Sequence, residues 1–186
     1  YTALHASKSE RVKTLFRQWE QAFGVVYGED TRKAEQDVPE LAQGYGLSEG
    51  ADLKSSLFVV HTYFALIMKL LAAEILALQE GSWAPSLFSE LLGLENEALK
   101  DRLSILEDGE DYRAYGIHNF LEGDFFRWYL DTWIESTGIA LQKMVHTLSG
   151  FEPTTPSLRP GEARDLLKKL YQYLLPKKLR HDLGEY

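Results

Sequence analysis

The basic residues near the C-terminal end of the chain are the strongest candidates for binding chemistry. Six of the 20 lysines and arginines, but only one of the 28 acidic residues, lie in 164–180, so this segment carries a net charge of +5 in a chain of net charge −8. Lys and Arg neutralise phosphates and release counterions from DNA. The segment therefore predicts a contact with a DNA backbone, although a solvated helix face is the alternative. The candidate residues are Lys168, Lys169, Lys177, Lys178 and Arg180.

Three ionisable residues interrupt the longest apolar run of the chain, Leu57–Leu78. They are His61, Lys69 and Glu74. One interpretation is a buried polar network that contacts another domain or the DNA backbone. The other is structural, with Lys69 reaching the surface or pairing with an acid from another helix. Because a central Lys or Asp costs about 2.5–3.5 kcal/mol in a membrane helix, these charges predict a buried helix and no membrane partner.

The other candidates for catalytic or metal chemistry have simpler interpretations. The five histidines lack the spacing of a metal site, and the chain has no cysteine. Glu122 and Asp124 could act as an acid–base pair, but acids at the start of a helix commonly complement its dipole. The aromatic residues of 120–133 could stack on bases, although their helical spacing favours core packing. We expect neither a catalytic residue nor a metal site.

Apolar periodicity predicts that helices position all of these residues. In Ser7–Val26, apolar residues recur at spacings of three and four, as on one face of a helix. Ser7 or Ser9 is the expected N-cap of this helix, and Gly24 or Gly28 is its expected end.

The next two elements differ in polarity. Asp30–Tyr45 is polar, is interrupted by Pro39, and is expected to be a surface helix or ordered loop with little to bury. In contrast, 51–79 is apolar around most of its circumference, which is typical of a helix surrounded by others. At 1.5 Å per residue this helix is about 40 Å long and is expected to be the axis of the domain.

The second half of the chain also has helical patterns. Shorter helices are predicted at Pro85–Leu94 and Glu97–Glu107. A second long helical pattern is predicted at Phe120–Leu148, where Gly123 and Gly138 each weaken the helix by about 1 kcal/mol and one of them could break it. No alternating strand pattern is present. The predicted fold is all-α, an irregular helical bundle around the long central helix at 51–79.

Proline content divides the chain. The segment 151–161 contains three prolines together with Thr and Ser, a composition typical of a linker. We therefore predict a helical bundle domain at 1–150, a linker at 151–161 and a connector at 162–186. The helix of this connector, Glu162–Leu175, is expected to end at Pro176.

Three segments of the chain carry motifs that occur in the same order in one enzyme family. Ser56–Glu74 reads SLFVVHTYFALIMKLLAAE, Asn119–Tyr129 reads NFLEGDFFRWY, and Leu170–Tyr186 reads LYQYLLPKKLRHDLGEY. They resemble the helix, the following segment and the approach to the first cofactor motif of bacterial N6-adenine DNA methyltransferases of restriction–modification and bacteriophage-exclusion systems. That motif is Gly-x-[Tyr/Phe]-Tyr-Thr-Pro. The matches span about two-thirds of the chain, and residues 1–50 match no known pattern.

The resemblance implies a non-catalytic N-terminal helical domain of a longer enzyme, ending just before its catalytic domain. In the parent enzyme, S-adenosylmethionine donates a methyl group to an extruded adenine of double-stranded DNA. Gly184, Glu185 and Tyr186 would be the first part of the loop over this cofactor. The other cofactor and adenine motifs are absent, so we expect the fragment to bind no cofactor and to be inactive. Its expected partners are its own methyltransferase domain and DNA.

An alternative is a stand-alone α-helical protein–protein interaction module whose C-terminal segment resembles the methyltransferase motif by chance. A third possibility is that residues 1–50 retain part of a nuclease fold or a DNA-specificity element, and the polar, proline-broken Asp30–Tyr45 stretch gives no support for a nuclease. The absence of cysteine and of a basic-then-apolar N-terminal signal predicts a cytoplasmic protein. The acidic total charge argues against nucleic-acid binding over the whole surface. The sequence leaves the oligomeric state open.

Overall fold

The computed structural model describes residues 1–27, 34–47, 50–79, 86–118, 125–150, 169 and 172–182. These residues form helices and turns without a strand, which confirms the all-α prediction. The chain divides into two compact units, one comprising Tyr1–Phe64 with Gly161–Tyr186 (unit 1) and the other Ala65–Pro160 (unit 2). The predicted linker at 151–161 lies outside the described residues, and the predicted domain boundaries stay a prediction.

The long central helix, α4, is confirmed and spans Leu53–Gln79. It begins after Asp52, whose Oδ1 accepts a hydrogen bond from Ser55 N at 2.8 Å. Partial burial opposes the ionisation of Asp52, but the hydrogen bonds from Ser55 outweigh it and lower its pKa. The carboxylate therefore satisfies an amide that the helix itself leaves unpaired. The buried apolar residues of α4 are Leu53, Leu57, Phe58, Val60, Leu66, Ile67, Leu70 and Ala73.

The apolar length of α4 also meets the criterion for a membrane span. Leu53–Leu78 is long and apolar enough to cross a bilayer, and 61% of its most apolar stretch is buried inside the molecule. Core helices and membrane-spanning helices both meet this criterion. The expectation of no membrane partner therefore stays a prediction.

The N-terminal part of unit 1 contains α1 (Thr2–Ala6) and α2 (Glu10–Tyr27). The side chain of Ser9 accepts a hydrogen bond from Val12 N at 3.4 Å, as expected of an N-cap. The prediction that Gly24 could end this helix is wrong, because α2 continues to Tyr27. Tertiary packing of its apolar face outweighs the local cost of one glycine.

The segment around Pro39 is helical, which is one of the two forms expected for Asp30–Tyr45. It forms a short 3-10 helix, Ala34–Asp37, and then α3, Val38–Tyr45. Pro39 does not interrupt this helix but lies in its first turn. The N–H groups of a first turn make no intrahelical hydrogen bond, so the helix loses none at proline. Val38 and Leu41 are buried, so the expectation that this stretch has little to bury is also wrong.

The described residues of unit 2 form four α-helices after α4. They are α5 (Leu87–Leu92), α6 (Asn96–Glu107), α7 (Glu110–Arg113) and α8 (Glu135–Ser149), with a 3-10 helix at Phe126–Thr132. The helix α8 packs against α5 and α6.

An ion-pair network joins three of these helices. Arg102 of α6 binds Asp111 of α7 through two bonds of 2.6 and 2.9 Å and Glu90 of α5 at 2.9 Å. The hydrogen bonds that Arg102 donates to Asp111 and Glu90 outweigh partial burial and raise the pKa of Arg102. The guanidinium therefore stays charged and holds α5, α6 and α7 in register.

The prediction of one long helix at Phe120–Leu148 is wrong. The chain forms the 3-10 helix Phe126–Thr132, becomes extended at Trp133 and Ile134, and only then enters α8. The break does not lie at Gly138, which is inside α8, and Gly123 lies outside the described residues. Trp128, Tyr129 and Leu130 are consecutive and all buried. This stretch therefore buries side chains around most of its circumference, whereas a surface helix buries those of one face. The aromatic residues Trp128 and Tyr129 do pack in the core, as their spacing predicts.

Gly138 of α8 provides a stability test. A Cβ atom at this position would lie 2.0 Å from Asn96 Oδ1, which also accepts a hydrogen bond from the Trp133 indole at 3.2 Å. We expect Gly138→Ala to displace Asn96 and to lower the free energy of unfolding by about 1–3 kcal/mol, measured by urea denaturation. Gly44→Ala in α3 is the matched control. Its Cβ would meet nothing within 4 Å, so it should stabilise by about 0.5–1 kcal/mol. Equal effects of the two substitutions would contradict this packing.

Candidate nucleic-acid interface

The basic segment near the C-terminus is anchored to unit 1 by two leucines. It forms a short helix, α9, at Lys177–Asp182. Leu175 and Leu179, four residues apart, are 1% and 0% exposed, and α9 packs against the 3-10 helix Ala34–Asp37. Leu179 lies within α9, and Leu175 lies at the bend just before Pro176. The apolar face of the segment is therefore buried, and its opposite face is presented to solvent.

A hydrogen bond from Tyr45 provides a second anchor. The hydroxyl of Tyr45, at the end of α3, donates to the carbonyl oxygen of Leu174. Burial, with a further contribution from Tyr63, raises the pKa of Tyr45 to about 12. The hydroxyl consequently remains protonated at neutral pH and keeps its ability to donate. This bond satisfies a carbonyl that precedes the bend at Leu175.

The predicted basic residues are not equivalent in the structure. Lys169, Lys177 and Lys178 are exposed. Arg180 is half-buried, and its Nε donates to the carbonyl oxygen of Leu175 at 3.3 Å. Three lysines are therefore placed to contact a polyanion, whereas Arg180 also stabilises the end of the preceding turn. Lys168 lies outside the described residues.

The partial cofactor motif also lies outside the described residues. Gly184, Glu185 and Tyr186 follow directly after α9. Their assignment to a cofactor loop stays a prediction. The structure describes the anchored helix that precedes them and no contact that they make.

His61 lies in an aromatic pocket of unit 1. Its Nδ1 accepts a hydrogen bond from the indole N–H of Trp19 at 3.3 Å, and the ring of Phe23 lies 4.7 Å away between centroids. Burial lowers the pKa of His61 to about 4. At neutral pH the imidazole is therefore uncharged and acts as an acceptor in a packed core.

Lys69 forms an ion pair in the core of unit 2. Its Nζ lies 2.6 Å from Glu107 Oε2, and the two side chains are 5% and 1% exposed. The hydroxyl of Tyr129 donates to Glu107 Oε1 at 3.0 Å, and that of Tyr112 donates to the backbone carbonyl of Lys69 at 2.8 Å. The expectation that Lys69 pairs with an acid from another helix is confirmed.

Glu74 is also bound within its own unit. Its Oε1 accepts a hydrogen bond from Ser86 Oγ at 2.7 Å, and its Oε2 accepts one from Phe88 N at 3.1 Å. It therefore helps to satisfy the first amides of α5, beside the N-cap Ser86. His61, Lys69 and Glu74 thus have separate structural roles in the described part of the chain.

The described residues provide little for catalysis. They include no group of three or more His, Asp or Glu that could hold a metal ion. A cleft of about 680 Å³ in unit 1 is lined mainly by apolar residues such as Val38 and Leu47, with Glu35 and Asp52 among its lining residues. Asp52 already caps α4, and the lining residues of the cleft include no His, Ser, Thr, Tyr or Lys.

The sequence interpretation missed two tyrosines of this region. Tyr45 anchors the segment, and Tyr173 projects from it with 88% of its surface exposed. The four-residue spacing of Leu175 and Leu179 is the signal for the buried face. No local signal identifies Tyr45, because its partner, Leu174, is 129 positions further along the chain.

No family model, curated protein or solved structure matches the chain. The methyltransferase resemblance of its three segments therefore stays a prediction.

The buried state of His61 predicts how stability depends on pH. The unfolded chain binds a proton as the pH falls through about 6.5, whereas the folded imidazole resists protonation until about pH 4. Stability is thus complete above pH 6.5 and declines by about 3 kcal/mol as the pH falls to 4. Urea denaturation at a series of pH values measures this loss. His61→Gln, which keeps an acceptor for Trp19 but does not titrate, should flatten the curve, and an unchanged slope in this variant would refute the assignment.

The Lys69–Glu107 pair predicts a non-additive pair of substitutions. Lys69→Met leaves a buried carboxylate without its cation and should destabilise the protein by about 3–5 kcal/mol. Adding Glu107→Gln removes that charge and keeps an acceptor for Tyr129, so the double variant should be more stable than Lys69→Met alone. Chemical denaturation of the four proteins of this double-mutant cycle measures the coupling. A double variant less stable than Lys69→Met would argue against the pair.

Proposed function

We propose that this chain is the non-catalytic helical domain of an S-adenosylmethionine-dependent N6-adenine DNA methyltransferase from a bacterial restriction–modification or phage-defence system. The catalytic domain would follow Gly184, and the helical domain would position it. In the whole enzyme, the cofactor supplies a methyl group for the amino nitrogen of adenine. The residues described above supply structure and DNA-backbone contacts, not chemistry.

The anchoring of the segment before the cofactor motif is the observation that supports this proposal most. Leu175 and Leu179 are fully buried, and Tyr45 binds the carbonyl of Leu174. A segment held by two buried side chains and a hydrogen bond gives the following residues a defined starting position. This is what a domain that positions a catalytic neighbour requires.

The exposed lysines of the same segment support the contact with DNA. Lys177 and Lys178 lie beside each other on α9, and both are exposed. The net charge of the whole chain is −8, so a polyanion is repelled by much of the surface and attracted here. Neutralising phosphates with lysines yields affinity without reading the base sequence. We therefore infer a backbone contact, with recognition of the target site elsewhere in the enzyme.

A fluorescence-anisotropy titration with duplex DNA tests this contact. We expect the 186-residue chain to bind more weakly as salt rises from about 50 to about 200 mM. The variant Lys177→Glu/Lys178→Glu should lose about tenfold in affinity at low salt, and the slope of log K against log salt should fall by about 2, because each phosphate contact contributes about 0.9.

The matched control carries the same change in charge at two lysines outside α9. Lys8→Glu/Lys143→Glu replaces two other exposed lysines and should bind DNA as the unmodified chain does. Circular dichroism verifies that all proteins are folded. If both double variants lose affinity equally, the effect reports only net charge and the proposed interface is wrong.

A protein–protein interaction module is the second candidate function. It is favoured by two exposed isoleucines near the start of α8, Ile134 at 46% and Ile139 at 48% exposure. Reading the gene beyond the codon for Tyr186 distinguishes the two candidates. A frame that continues into Tyr-Thr-Pro and Asn-Pro-Pro-Tyr supports the methyltransferase, whereas a stop codon at that point supports the module.

A further inference from the structure

Tyr173 is the most exposed large aromatic or aliphatic residue in the described part of the chain. It is 88% exposed, whereas the next, Ile139, is 48% exposed. Single exposed apolar residues are common on protein surfaces, so exposure alone carries little meaning. What distinguishes Tyr173 is its place among exposed cations. Lys169 lies four positions before it and Lys177 four positions after it, and both are exposed.

The backbone next to Tyr173 is held in place by contacts just before the bend and at the bend. The Leu174 carbonyl accepts the hydroxyl proton of Tyr45, and the side chain of Leu175 is buried. These contacts hold the chain against unit 1 while the ring of Tyr173 projects into solvent. An exposed ring on an anchored backbone loses little conformational entropy when it stacks on a ligand.

We propose that Tyr173 stacks on an unpaired DNA base while Lys169 and Lys177 bind the phosphates beside it. The surface thereby prefers DNA containing an unstacked base to an intact duplex. This inference rests on the proposed function, because it names the form of DNA that the same interface binds.

The preference follows from what each form of DNA exposes. In an intact duplex both faces of a base are covered by its neighbours, so Tyr173 has no face on which to stack, and the lysines contact phosphates alone. A base without a pairing partner leaves the stack at low cost and exposes its face to the ring. Stacking on an aromatic side chain adds affinity without requiring a particular base. The phosphate contacts are the same in both forms, so the difference in affinity isolates the contribution of Tyr173.

The test compares two duplexes with the same number of phosphates, one intact and one with a single base opposite an abasic site. We expect the 186-residue chain to bind the second about tenfold more tightly in anisotropy titrations. Tyr173→Ala should bind both duplexes with the affinity that the unmodified chain has for the intact one. Tyr173→Phe retains the ring and should keep the preference.

A photochemical experiment locates the contact directly. With 5-iodouracil as the base opposite the abasic site, irradiation should crosslink the DNA to the peptide that contains Tyr173, as identified by mass spectrometry. The crosslink should disappear in Tyr173→Ala. In the intact duplex the crosslink yield at this peptide should fall at least as far as the affinity does.

The outcomes separate this inference from the proposed function. If the unmodified chain binds both duplexes equally, or if Tyr173→Ala keeps the preference, the stacking role is overturned. The backbone contact still stands in that case, provided that Lys177→Glu/Lys178→Glu weakens binding. If the unmodified chain binds neither duplex, both the backbone contact and the stacking role fail.

Discussion

The buried ammonium group of Lys69 sets the strongest constraint on unit 2. An unpaired charge in an apolar core costs several kcal/mol, so α4 can be buried at this point only if a carboxylate meets it. Glu107, the last residue of α6, provides that carboxylate at 2.6 Å. Tyr129 donates to the same carboxylate, and Tyr112 donates to the Lys69 carbonyl. The end of α6, the helix α7 and the 3-10 helix are thus positioned around one charge.

Neutral groups make the buried polar contacts described in unit 1, whereas an ion pair makes the corresponding contact in unit 2. His61 is kept uncharged by burial and bound by Trp19, and the C-terminal segment is held by Leu175, Leu179 and Tyr45. These contacts leave Tyr173 and the exposed lysines on one anchored segment. The segment with a positive net charge is therefore also the segment that is anchored to unit 1. Our functional proposals depend on this combination of charge and anchoring.

Local patterns predicted some elements well and others poorly. The boundaries of α4 were predicted to within two residues, because 27 residues of apolar sequence without Pro or Gly define a buried helix. The sequence indicated that Lys69 needed an acid but not which one, because Glu107 lies 38 positions away. At Phe126–Thr132, helical spacing favoured an α-helix, but the chain forms a 3-10 helix with three consecutive buried side chains. Which side chains become buried is not visible in a short window of sequence.

The sequence by itself determined the all-α class, the central helix and the location of the basic segment. These properties depend on hydrophobic periodicity and on local composition, which a short stretch of chain contains in full. Only the tertiary structure decided that Tyr45 binds the Leu174 carbonyl and that Lys177 and Tyr173 both face solvent. Those outcomes depend on which distant residues cover each side chain, and this coverage is a property of the packed chain as a whole.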